Sequence, residues 1–390
     1  MALPAAAEPI PAAEEGARPR DRSVQYSLII QTAFIGDTIL TTPLIAELAK
    51  RGPVDIVTTP VSATLLQNNP DLRRVFVFDK RNAQSGTGGL WSMARTLRQQ
   101  RAAIAPTIDR TVAYLAQGST RSAVLAVLAG AHERIGFATS PARAMYTRRV
   151  PYLENQHHAA RLWQLAFPHE SRSEPRAVRL RPHLYPGAAE KAAVSDLLRE
   201  HGVMGPFVAL APGSVWGTKR WPYYPELAKR ITARIPVAIV GGHDDTAQAE
   251  QIASVVAPDR MVNAVGRLSL LGSAELIGRA RALVTNDSSP LHMASAMGTP
   301  TVAIFGPTVP EFGFGPLAER SAVAGHRELD CRPCDRHGPQ KCPLGHWRCM
   351  REVGVDEVER MVANIWGQGS GVEGRGNRDA GTAHPSTPDP

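Results

Sequence analysis

Short apolar runs of strand length alternate with amphipathic stretches of helix length along most of the chain. This rhythm restricts the fold more than any other feature of the 390 residues. Residues 27–31 read as a buried strand and 37–50 as the helix after it, with Ile39, Leu40, Leu44, Ile45 and Leu48 at helical spacing. Residues 54–58, 75–78 and 112–115 read as further strands, and 90–99 and 119–129 as helices. Such alternation is the signature of βα units around a parallel sheet. Residues 168–186, rich in Pro, Arg and Ser, interrupt it and read as an interdomain linker. A second series then supplies strands at 207–211, 237–240, 282–285 and 301–305, with helices at 222–233, 246–256, 270–279 and 290–297. Two α/β halves of similar size predict two Rossmann-like, doubly wound domains, 24–180 and 187–355, facing a central cleft. A helix at 356–367 closes the ordered chain, between disordered tails at 1–23 and 368–390.

Apolar residues make up 43% of the chain, enough for full cores, which excludes global disorder. No apolar run reaches the roughly 18 residues of a membrane helix, and the acidic start lacks the basic end and apolar block of a signal peptide. A cytoplasmic protein is expected. Charge is divided unevenly. Residues 24–180 hold 19 Lys and Arg against 10 Asp and Glu, a net +9, whereas 185–366 hold 19 of each, a net of zero. The bland reading is solubility charge; the sharper one is an anionic partner for the first half.

Three loops carry polar chemistry. In TNDSSPLHMASAMGTPTVAIFGPT, a strand ends at Thr285 and Pro290 marks a helix start, which puts Ser288 and Ser289 at the helix N-terminus. Free N–H groups and the helix dipole make that end an anion site, unless it is an ordinary cap. In APGSVWGTKRWP, a Gly- and Ser-bearing loop leads to Lys219 and Arg220; these suit a phosphoryl leaving group, or form a solvated pair. In QTAFIGDTILTTP, Gly36 permits a tight turn and Asp37 reads as the cap of the first helix, either a cap alone or a general base facing the cleft. GGHDD at 241–245 lacks the G-x-G-x-x-G of dinucleotide binding, so a nicotinamide cofactor is disfavoured, and its aspartates could accept from a ribose or cap a helix. Lone histidines such as His157, His158 and His292 read first as structural. The four cysteines, Cys331, Cys334, Cys342 and Cys349, are spaced C-x2-C-x7-C-x6-C. They offer either a structural zinc site or free or redox-paired thiols.

Together these segments resemble glycosyltransferase family 9, the lipopolysaccharide heptosyltransferases, over about 27–366. The likeness rests on Gly36-Asp37, PGS…KRWP at 212–222, the GG-x-D-D stretch, NDSSPLHMASAMGTPTVAIFGPT, and AQGSTR at 116–121. The Cys-rich stretch is similar to that of heptosyltransferase II members. Departures are Gln31 in place of a basic residue, Ser289 in place of the glycine of Asp-Ser-Gly-Pro, and Asp245 in place of Glu. The resemblance implies the GT-B fold and an inverting transfer of heptose from ADP-heptose to the phosphorylated inner core of a lipid A-linked acceptor. It places the enzyme in the cytoplasm, peripheral to the inner face of the inner membrane. Asp37 and Lys219 would be catalytic. Pro212, Gly213, Ser214, Thr218, Lys219, Asp245, Asp287, Ser288, Ser289, Leu291 and His292 would hold the donor, and Gln117 and Arg121 the acceptor. No catalytic cofactor is expected. The rival expectations are another GT-B enzyme, such as a nucleotide-sugar epimerase or a different sugar transferase, and a non-catalytic nucleotide- or nucleic-acid-binding protein. The scarcity of aromatics among the basic residues of 24–180 speaks against nucleic acid.

Overall fold

The computed structural model describes residues 24–168 and 177–367, so both expected tails and the middle of the expected linker lie outside the described residues. The first half contributes β1 (Gln25–Ile30), β2 (Val54–Thr58), β3 (Arg74–Val77), β4 (Arg110–Leu115), β5 (Glu133–Phe137) and β6 (Arg148–Val150). The second contributes β7 (Val208–Ala211), β8 (Val237–Ile239), β9 (Met261–Asn263), β10 (Ala282–Asn286), β11 (Thr301–Ile304) and β12 (Ser321–Ala324). They form two six-stranded sheets, ordered β3-β2-β1-β4-β5-β6 and β12-β11-β10-β7-β8-β9. Every pairing is parallel, with Ser27 beside both Val54 and Val112, and Val284 beside Leu210. Strands covered by helices on both faces need apolar residues on both, and the central ones are buried throughout.

Alternate side chains feed separate cores. Ile29, Val112 and Tyr114 pack on one face of the first sheet; Leu28, Ile30, Ala113 and Leu115 pack on the other. Val208 and Leu210 pack on one face of the second sheet, and Ala209 and Ala211 on the other. The closing helix, Val355–Gly367, is not a free-standing element. Its Val355, Val358, Val362 and Ile365 join the core around Val208. Ile39 and Leu65 of the first half enter the core containing Ala209, Leu276 and Met293 of the second, so apolar packing seals the seam between the sheets.

Local structure departs from expectation where proline intervenes. The first helix is two helices, Ile35–Leu40 and Thr42–Ala49, because Pro43 has no N–H to continue the ladder and instead opens the second. The first begins at Ile35, so Asp37 is its third residue rather than its cap.

Both sheets have the same winding, in which strand order reverses between β1 and β4 and again between β7 and β10. In open α/β sheets ligands bind beyond the carboxyl ends of the strands at that reversal. The loops after these four strands are 31–34, 116–119, 212–216 and 287–288, and they carry the polar motifs picked out above.

Candidate active site

Asp37 stands where the loops meet. Its Oδ2 accepts the Phe34 N–H (3.3 Å), and its Oδ1 lies 3.4 Å from Nε2 of His158. Burial raises the Asp37 carboxyl to about 6, against the lowering effect of the Phe34 N–H. Burial also drops His158 to about 3, with Arg161 adding to the effect, so at neutral pH the imidazole is uncharged and its contact with Asp37 is dipolar. A carboxylate with a raised pKa, mostly ionised at pH 7, is poised to take a proton from a hydroxyl.

Two cavities share Asp37. One, of about 450 Å³, is lined mainly by the first half, with Gln31, Gln117, Tyr152, Glu154 and His158 among its residues, and by Arg336 of the second. The second, of about 150 Å³, is bounded by Phe34, Ser214, Trp216, Lys219, Asp287 and His292 with neighbours from both halves. Ser288 caps the Ser289–Met297 helix, and both serines line the second cavity, so the free N–H end of this helix points to it.

Lys219 is not a free cation. It lies in the Gly217–Lys219 turn, and the next helix starts only at Tyr224. Its Nζ donates to Asp287 Oδ2 at 2.6 Å, and Thr308 Oγ1 donates to the same oxygen at 2.7 Å. Both members of the pair are about nine-tenths buried. Asn286, which the sequence reading passed over, ties the loops together. Its Nδ2 donates to Pro212 O (2.8 Å), while its Oδ1 accepts from Trp221 N (3.3 Å) and Tyr224 Oη (3.4 Å).

Gly36 has a different role from the expected one. It lies inside the first helix, and an added Cβ would sit 2.8 Å from Cδ2 of His292. The missing side chain therefore lets the two halves close on each other. His292 is buried and held neutral, with its pKa lowered to about 4 by desolvation.

Of the remaining expected donor residues, Ser214, Ser288, Ser289 and His292 line the second cavity. Gly213 and Asp245 do not; the Asp245 carboxylate lies where a Cβ on Gly213 would go and accepts the Gly242 N–H at 2.9 Å. Thr218 donates to the Pro339 carbonyl, and Leu291 is buried against Ala303 and Phe305. Gln117 reaches the first cavity and bonds Thr32 and Ser122. Arg121 does not line it; its guanidinium serves the carbonyls of Lys80, Gln84 and Gly86 and lies over Phe78.

Of the two readings of the cysteines, the zinc set is not assembled: among the described residues no group of three or more His, Cys, Asp or Glu is placed to hold a metal ion. All four thiols are free; Cys349 is buried in the second sheet's core, Cys334 is exposed, and Cys331 and Cys342 are partly exposed. Cys331 Sγ lies 3.8 Å from Nε2 of His346, and Cys342 Sγ 4.0 Å from its Nδ1.

The family model for glycosyltransferase family 9 (heptosyltransferase) matches residues 91–346, about two thirds of the chain and both halves of the cleft. The chain belongs to glycosyltransferase family 9. Lipopolysaccharide heptosyltransferase 1 of Pseudomonas aeruginosa is 28% identical over 319 residues, covering 79% of this chain and 85% of that protein. A family 9 glycosyl transferase from Veillonella parvula superposes with a TM-score of 0.75 at 20% identity, covering 89% of this chain and 98% of that one. The Escherichia coli ADP-heptose lps heptosyltransferase II gives a TM-score of 0.70 at 22% identity, covering 88% and 99%. This family 9 chain is thus a transferase with the GT-B fold, and the epimerase and non-catalytic alternatives fall away.

Sequence reasoning read His158 as structural and gave no role to Tyr152, Trp216, Arg336 or His337, yet all five line one or both cavities. None sits in a spacing that distinguishes it from a core or surface residue. Tertiary folding alone brings them in.

Proposed function

We propose that the enzyme moves heptose, with inversion, from ADP-heptose to the phosphorylated inner core of a lipid A-linked acceptor. Residues 24–180 form the acceptor domain and 187–355 the donor domain. The observation that carries this reading is the position of Asp37 between the two cavities, with its carboxyl raised by burial to about 6. The acceptor hydroxyl enters from the larger cavity and gives its proton to Asp37 as it attacks the anomeric carbon. The departing diphosphate lies against the Ser288–Ser289 helix end, whose dipole favours negative charge, with the Lys219–Asp287 pair beside it. Ser214 and His292 line the donor pocket, and Gln117 lines the acceptor pocket.

The N-terminal half also has a face suited to the membrane that holds such an acceptor. Residues 80–108 contain five Lys and Arg and no Asp or Glu. The Gly86–Ala102 helix in this stretch presents Trp91, 58% exposed, beside exposed Arg95 and Arg98. An amphipathic ring and cations on one surface favour an anionic bilayer interface. Among the described residues no helix is long and apolar enough to cross a membrane.

The direct test incubates purified protein with ADP-heptose and heptose-deficient core acceptor. Release of ADP, a product heavier by one heptose and an inverted anomeric signal by NMR are expected. ADP-heptose left intact beside several core acceptors would overturn the reading.

A further inference from the structure

The Cys-rich segment, residues 331–349, holds no metal set, yet it is fastened across the mouth of the cleft. Arg332 donates to the carbonyls of Phe305, Gly306 and Thr308, and the Cys334 N–H to Pro307 O at 2.8 Å. Gln340 clasps the donor loop, with Nε2 donating to Val215 O (2.9 Å) and Oε1 accepting the Gly217 N–H (3.1 Å). Between these anchors the chain turns on Asp335, whose Oδ1 accepts the N–H groups of His337 and Gly338 at 2.6 Å each. The His337 ring sits near Phe34 of the first half (5.7 Å) and stacks on Trp216 of the second (5.9 Å, 18°). Arg336 is thereby carried to the junction of the two cavities and lines both.

Charge accounting at that junction is one-sided. Lys219 is consumed by Asp287 at 2.6 Å, and His158 and His292 are neutral. The larger cavity is lined by two carboxylates, Asp37 and Glu154, and by no Lys or Arg except Arg336. Arg336 has a loose acidic partner, Glu154 at 3.9 Å, and both side chains are well exposed, at 66% and 82%. Its guanidinium also lies 5.9 Å over the Tyr152 ring. An exposed pair at that separation contributes little, so the guanidinium is available to a better partner. A planar fork of donors prefers an oxyanion that it can grip with two hydrogen bonds.

We propose that Arg336 is the substrate-anion residue of the cleft, reaching from the donor half over the acceptor cavity to bind a phosphate-type oxyanion of a bound substrate. The Cys-rich segment is the arm that holds it there. This rests on the transferase reading above, which supplies two sources for the oxyanion: the acceptor's core phosphate and the donor's diphosphate.

The test compares wild type, Arg336→Gln and Arg336→Lys in steady-state transfer, using phosphorylated acceptor and the same acceptor dephosphorylated. ADP binding is measured by calorimetry on each protein. Arg336→Gln should weaken one anionic ligand by about 10- to 100-fold, the usual worth of a charge-assisted hydrogen bond. Arg336→Lys should recover part of the loss. A rise in acceptor KM confined to the phosphorylated acceptor assigns the oxyanion to the acceptor; a fall in ADP affinity assigns it to the donor. Unchanged KM values and ADP affinity in Arg336→Gln, beside an active wild type, would overturn the proposal. If the wild type transfers no heptose, the transferase reading fails on its own, and the ADP measurement still decides whether Arg336 grips a diphosphate.

Discussion

At the residue scale the burden falls on Asp37. Asp37→Asn is nearly isosteric and should leave ADP affinity close to wild type while turnover falls about 10²–10⁴-fold, the worth of a general base. Near-normal turnover would show that another group takes the proton. The raised pKa fixes the sign of two pH effects. In turnover, kcat/KM should fall as pH drops through about 6, because the protonated carboxyl accepts nothing. In stability, a folded pKa of about 6 against an ordinary 3.8 means that ionising Asp37 costs the folded state stability. The favourable contribution of the protonated form is fully present below about 3.8 and is lost as pH rises through about 6. The Tm of Asp37→Asn at pH 8 should therefore equal or exceed that of wild type; a clear drop would contradict the burial cost. Lys219 couples function to folding. Lys219→Ala strands a nearly buried Asp287 carboxylate, a change that costs about 3–5 kcal/mol when a buried pair is broken. Adding Asp287→Asn should restore much of the Tm without restoring turnover. If the double variant recovers both, Lys219 only balances Asp287.

At the element scale, the approach of the Ile35–Leu40 and Ser289–Met297 helices depends on Gly36. Gly36→Ala improves helix propensity but drives a methyl into His292, so a net destabilisation of about 1–3 kcal/mol is expected by chemical denaturation. Equal or higher stability would mean that the helices part without cost. The sequence foretold the βα rhythm of the central strands and the three polar loops, because central strands buried on both faces must read as continuous apolar runs. It did not foretell β5, β6, β9 or β12. β6 and β9 have three residues each at sheet edges, and β6 begins with two arginines. The break before Pro43 was legible in Thr-Thr-Pro and was overridden by the apolar spacing of Leu40 and Leu44. Arg336 and His158 had no local signal. One lies in a cysteine-rich loop that draws attention to its thiols, and the other looks like a core histidine until the fold sets it beside Asp37.

At the scale of the whole molecule, the Trp91 face bears on where the enzyme works. Trp91→Ser combined with Arg95→Gln and Arg98→Gln should lower co-sedimentation with vesicles containing anionic phospholipid and leave transfer to a detergent-dispersed acceptor intact. Equal sedimentation of the triple variant and wild type would exclude this face. The shared winding of the two sheets has a separate consequence. The two reversal points present their loops to a common space, and each substrate faces loops that belong mainly to one sheet. On the proposed assignment of acceptor and donor sides, acceptor preference can drift through changes after β1 and β4 while the loops after β7 and β10 stay fixed, and the reverse also holds. Arg336 is the exception to that modularity: anchored in one half and lining the other's pocket, it would, in the proposed role, oblige any change of acceptor charge to be negotiated with the donor side.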